Sequence, residues 1–146
     1  MKNKAAENMD TVKLMGHIKS SQNLDEALIN HPDTHVDPSL PAYLMELQSR
    51  HNCTIERLIR ITMLSKPFMY QIFSGARNPN RDAIIKIAFA MGITVDETQR
   101  LLTLSRRGVL YPKIRRDAAI IFSLQRKCSL TDASEMLESI GETPLI

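Results

Sequence analysis

The side chains with the most legible chemistry lie between residues 65 and 81. They form the run Ser65-Lys66-Pro67-Phe68-Met69-Tyr70-Gln71 and then Arg77-Asn78-Pro79-Asn80-Arg81. A glutamine amide pairs in bidentate fashion with adenine, and a lysine reaches guanine acceptors or a phosphate, so Gln71 and Lys66 are of the right types to read base edges. Phe68 or Pro67 would touch a thymine methyl, and Tyr70 would reach a phosphate through its hydroxyl. Ser65 reads as a helix cap, and the free N–H groups after a cap bind phosphate directly. Arg77, Asn78, Asn80 and Arg81 are placed for contacts to the nucleic-acid backbone, which position without specifying sequence. Each residue also has a plainer reading: Phe68 and Tyr70 as packing residues, Gln71 as a solvated amide, single arginines as ordinary surface.

Other constellations offer less. His31 and His35 flank Pro32-Asp33-Thr34, but a proline-containing loop without further ligands is a poor metal site. His51 and Cys53 form no nucleophile–base–orienter set. There is no phosphate-binding glycine loop and no paired-carboxylate signature. The sequence therefore predicts no enzyme activity, no cofactor and no metal.

Composition frames these residues. The 146-residue chain is 43% hydrophobic and 24% charged, with eight methionines and no tryptophan. β-branched and aromatic runs are scarce, which favours helix-on-helix packing over a sheet core. No apolar stretch approaches the ~20 residues of a membrane span, and Met1-Lys2-Asn3-Lys4 is followed by no secretory apolar run. The expected setting is cytoplasmic, with Cys53 and Cys128 as reduced thiols. The net charge of +3 is unevenly spread: residues 1–40 carry −2, 41–80 carry +3, 81–127 carry +6, and 128–146 carry −4. A basic centre suits a nucleic-acid partner, and equally a solvated surface of Arg-rich helices.

Seven or eight helices are expected. Met9 to about Lys19 has Val12, Met15 and Lys19 on one side, and a shorter piece runs from Leu24 to Asn30 before His31-Pro32. Asp37-Pro38-Ser39 enters a helix with Leu40, Leu44 and Leu47 inside. Thr54 caps one with Ile55, Leu58 and Ile59. Ser65 caps the next, with Pro67 in its first turn, Met69, Ile72 and Phe73 inward, and Gly75 as the stop. Asn80 opens a helix burying Ile84, Ile87, Ala88 and Met91 and ending at Gly92. Thr94 with Glu97 forms a capping box ahead of a helix burying Val95, Leu101 and Leu102. A loop around Gly108 and Pro112 leads to two helices, roughly Lys113 to Lys127 and Ser129 to Ile140, the second capped by Ser129 with Asp132 at its N3. The division expected is an N-terminal helical extension (1–36), a central domain (37–107) and a C-terminal helical pair (108–146).

Two short helices joined tightly, 54–61 and 65–74, give the helix-turn-helix spacing, which presents the second helix as a ridge for the DNA major groove. The run Leu64-Ser65 through Gly75-Ala76-Arg77-Asn78-Pro79, then Ile84 to Gly92-Ile93-Thr94, closely resembles the Xre/Cro, phage-repressor-like family. The resemblance covers residues 41–105. Asp37-Pro38-Ser39-Leu40, Leu110-Tyr111-Pro112 and Arg115-Arg116-Asp117 are similar to a bacterial subgroup with extra helices around this domain. The resemblance implies an all-α, lambda-repressor-like bundle and a repressor-like transcriptional regulator that binds double-stranded DNA, as a homodimer on a palindrome. It also gives Arg77 and Arg81 a place in the family pattern. Three positions depart from that pattern: Met63 where the turn prefers glycine, Ile55 where relatives commonly carry glutamine, and Lys66-Pro67-Phe68 where they often have Gln, Ser or Thr. The apolar stretch from Pro67 to Tyr70 leaves open an alternative, a protein-interaction adaptor that keeps the fold without specific readout, with an aromatic anchor for a protein partner. Two apolar stripes, Ile114-Ala118-Ile121-Leu124 and Leu130-Ala133-Leu137-Ile140, are either a dimer surface or the completion of the core.

Overall fold

The structure, a computed structural model, describes residues 11–28 and 37–146, and among these it is all helix with no strand. The chain divides into two compact units, Met1–Asp37 and Pro38–Ile146. In the first, α1 (Thr11–Ser20) and α2 (Leu24–Leu28) form a small hairpin. Asn23 caps α2 by accepting the Glu26 N–H at 2.8 Å, and His17 Nε2 lies 3.0 Å from the Glu26 carbonyl oxygen. Val12, expected on a packing side, is exposed, as is half of Met15. Met9, Asn30 and the His31/His35 pair lie outside the described residues.

The second unit holds α3 (Leu40–His51), α4 (Ile55–Thr62), α5 (Lys66–Ser74), α6 (Arg81–Met91), α7 (Val95–Leu104), α8 (Arg115–Gln125) and α9 (Leu130–Ser139). The side chains that start six of these helices are short polar groups three residues ahead of the amide they bind; α8 starts at Ile114 without a side-chain cap. Ser39, Thr54, Ser65, Asn80, Thr94 and Ser129 each accept an N–H of the first turn, each satisfying a donor that the helix itself cannot. At Thr94 the capping box is complete, with Glu97 accepting the Thr94 N–H at 2.9 Å. Four helices end in a left-handed residue: Asn52, Met63, Gly75 and Gly92.

Helix α6 is the axis of the unit. The sequence predicts one inward stripe for it, yet every residue from Ala83 to Met91 except Lys86 is buried. A helix apolar on all sides must be covered on all sides: α3, α4 and α7 cover part of α6, and α9 packs on it as well. Leu110, Ile120, Leu124, Leu130, Ala133, Leu137 and Leu145 belong to the same core as Leu44, Leu58 and Ile72. The division expected at 107/108 is thus crossed by one continuous core.

The stripe expected on α8 is corrected. Its inward side is Asp117, Ile120, Ser123 and Leu124, whereas Ile114 is 52% exposed and Ala118 and Ile121 are only half-buried. The cause is Asp117: its carboxylate is drawn inward by Arg81 and by the Tyr111 N–H, which fixes the rotation of the helix. On α9 the expected stripe holds for Leu130, Ala133 and Leu137, with Ile140 half-buried.

Candidate nucleic-acid interface

The turn between α4 and α5 is built from one hydroxyl. Thr62 Oγ1 donates to the Leu58 carbonyl at 2.6 Å and accepts the Leu64 N–H at 3.3 Å. Between them, Met63 takes φ +59° with its side chain 80% exposed. An L-residue there carries strain that glycine would not. Ser65 Oγ then accepts the Phe68 N–H at 3.2 Å and starts α5.

Helix α5 sorts cleanly by side. Met69 and Ile72 are fully buried, Phe73 nearly so, and Phe68 is half-buried against the core. Lys66, Pro67, Tyr70, Gln71 and Ser74 are exposed and, at helical spacing, share one face. The Lys66 ammonium lies 6.0 Å from the Tyr70 ring centre, at the outer reach of a cation–π contact. The Gln71 side chain makes no hydrogen bond to any described residue. At the end of the helix Gly75 is favoured on two counts: its φ is +84°, which strains an L-residue, and a Cβ there would stand 3.3 Å from Pro41 Cγ, a tight contact that the proline ring would have to relieve. The Arg77 N–H donates to the Gln71 carbonyl at 3.2 Å, and its guanidinium sits 5.9 Å from the Phe68 ring, otherwise in solvent. From Arg57 to Arg77 there are four basic residues and no acid, so this stretch of chain is locally positive.

The loop residues divide differently from expectation. Asn78 is tied down, its Nδ2 donating to the Ser105 carbonyl at 2.9 Å, and Asn80 Oδ1 accepts the Ala83 N–H at 2.8 Å as the α6 cap. Arg107, which the sequence did not single out, donates to the Pro79 carbonyl at 2.9 Å. Arg81 is not a solvent-facing loop residue. It donates to both carboxylate oxygens of Asp117 at 2.7 and 2.8 Å, and to the Gly108 and Val109 carbonyls at 2.8 Å. Four of its five N–H groups are therefore engaged. Asp117 is only 2% exposed in its side chain. Burial pushes its carboxyl up, but the Arg81 hydrogen bonds and the Tyr111 N–H outweigh that and hold it below the usual range. Beside it, Arg116 makes the same fork-to-fork pair with Asp82 at 2.9 and 3.0 Å.

This crossed pairing is what sequence reasoning missed, and a signal for it exists. The same dipeptide, Arg-Asp, opens both helices at 81–82 and 116–117, and each arginine takes the other dipeptide's acid. Arg115 and Arg116 also donate to the Ile140 and Thr143 carbonyls, and Lys127 to the Gly92 carbonyl. Half of the ten basic residues in 81–127 therefore serve the fold, and the +6 of that segment overstates what is offered to a partner.

No protein-family model, curated protein or solved structure matches this chain.

Proposed function

We propose that the chain is a sequence-specific double-stranded-DNA-binding protein, a repressor-like transcriptional regulator of the Xre/Cro kind. The observation that carries this reading is the outer face of α5: Lys66, Pro67, Tyr70, Gln71 and Ser74 are exposed together on a helix anchored from behind by Met69, Ile72 and Phe73. A helix so mounted fits the major groove. Gln71 reads adenine, Lys66 reaches guanine or phosphate, Pro67 touches a thymine methyl, and Arg77 holds the backbone. Asn78 and Asn80 act one step back, by fixing the loop from which Arg77 projects, and Arg81 by tying the start of α6 to Asp117 and the 108–109 carbonyls.

One such module spans few base pairs, so a second copy on a palindromic site belongs to the reading. The outer side of α8, with Ile114 and Phe122 exposed, offers it an apolar surface. The competing role, a docking surface for a protein partner, has less to work with than the sequence suggests. Met69 is buried and Phe68 half-buried, leaving Pro67 and Tyr70 as the apolar exposure of that face.

A titration of labelled duplex DNA, followed by fluorescence anisotropy across salt concentrations, tests the electrostatic half of the proposal. Even an unrelated duplex should bind with a Kd of roughly 10⁻⁴–10⁻⁶ M near physiological salt and tighten steeply as salt falls. Absence of binding at low salt would overturn it.

A further inference from the structure

On the side of the unit where α4, the end of α6 and the α8–α9 turn meet, there is a cavity of about 220 Å³. Phe89, Ile93, Leu124 and Leu130 make its walls apolar, while Arg57 of α4 and Lys127 of the α8–α9 turn, both exposed, also line it. No carboxylate lines it. Lys127 is held in place by the backbone: its φ is +58°, and its ammonium donates to the Gly92 carbonyl at 3.0 Å, leaving two N–H groups for another acceptor. The Arg57 guanidinium has no carboxylate partner among the described residues.

We infer that this cavity binds a small carboxylic acid with an apolar body, its carboxylate bridging Arg57 and Lys127 and its hydrocarbon filling the space below. The size fits, since a cavity of about 150 Å³ accepts benzene. So does the charge: two cations at one mouth without an acid favour an anion, and arginine favours the planar, two-oxygen kind. A purely inorganic anion would leave the apolar walls wet, and a neutral hydrocarbon would leave the cations unanswered. Arg57 also belongs to the basic stretch around α5, so an occupant that engages it withdraws a cation from DNA. That consequence, a ligand that weakens operator binding, rests on the DNA-binding reading.

The probes are benzoate, phenylacetate and isovalerate, added to the full chain without DNA and followed by amide NMR shifts. At least one should shift the amides of residues 57, 90–93 and 127–130 saturably, with a Kd of about 1 mM or tighter. Benzyl alcohol and inorganic phosphate should each bind about tenfold more weakly, as should benzoate to Arg57→Gln or Lys127→Gln. Both substitutions are at exposed positions, and unchanged melting temperatures would verify their folding. No saturable shift with any of the three acids, or equal binding of benzyl alcohol or phosphate, overturns the site and leaves the DNA-binding reading untouched. If the shifts are seen, the bound acid should weaken duplex binding by the parent but not by Arg57→Gln. Unchanged duplex binding would overturn the regulatory consequence alone.

Discussion

The exposed face of α5 and the junction where α6 meets α8 are both rich in basic side chains, and they use them in opposite ways. On α5 and just beyond it, Lys66, Gln71 and Arg77 project from a buried backing with their donors turned to solvent. At the junction, Arg81 and Arg116 lie over Asp117 and Asp82 with four and three of their five N–H donors engaged inside the molecule. Residue type does not separate the two regions. What separates them is the supply of acceptors: Asp117 of α8 and the 108–109 carbonyls of the loop before it meet Arg81, and Asp82 of α6 meets Arg116, whereas no acid occurs in the chain between Arg57 and Arg81. An arginine with a buried carboxylate in reach becomes part of the scaffold, and one without it stays available to a partner.

The sharpest way to break this contrast is Arg81→Ala. It leaves Asp117 buried without its cation, and removing one partner of a buried ion pair costs about 3–5 kcal/mol. Urea denaturation of the variant should show a loss of that size. A variant as stable as the parent but weaker on DNA would move Arg81 to the other side of the comparison.

A second internal cluster gives a pH-dependent version. Glu97, its side chain 12% exposed, is met by Arg50 Nη1 at 2.8 Å and His51 Nε2 at 3.1 Å. Burial pushes its carboxyl up, but the Thr94 N–H, His51 and Arg50 outweigh this and bring its pKa from 4.5 down to about 2. A carboxylate with a lowered folded-state pKa stabilises the fold fully above 4.5 and ceases to as the pH falls toward 2. Glu97→Gln should therefore be less stable than the parent by about 2 kcal/mol near neutrality. The gap should close on acidification through that window, and a constant gap would assign it to altered packing and hydrogen bonding, with no part for the charge.

Smaller effects are expected on the open side. Gln71→Ala should cost about 1–3 kcal/mol at one or two base positions and little elsewhere. Arg77→Ala should weaken all duplexes evenly and reduce the salt slope by about 1, with no change in unfolding. If Arg77→Ala instead destabilised the fold, its contact with the Phe68 ring would be structural and the two regions would differ less than described. The smallest effect concerns the turn: Met63→Gly relieves a left-handed residue but frees the unfolded chain, and should stabilise by about 0.5–1 kcal/mol. A loss of stability there would mean that the exposed Met63 side chain has a contact to give up.

What could be read from the sequence follows the same line. Caps act over three residues, so Ser39, Thr54, Ser65, Asn80, Thr94 and Ser129 were all legible, as was the inward side of α5 from Met69, Ile72 and Phe73. Arg81 and Asp117 are 36 positions apart, and no local rule connects them. That is why Arg81 reads as a surface residue, and why α8 reads with Ile114, Ala118 and Ile121 inward instead of Asp117 and Ile120. Asn78 fails for the same reason, since its acceptor, the Ser105 carbonyl, is 27 positions away. The all-round burial of α6 also needed knowledge that the C-terminal pair folds back into the same core.

The central claim, that α5 reads DNA sequence, is tested most directly by selection from random duplex DNA with the purified parent chain at physiological salt. The account predicts enrichment of a roughly palindromic sequence, with half-sites about one helical turn apart. Salt-sensitive retention without any enriched sequence would contradict it, and would leave the face of α5 as a basic surface without readout.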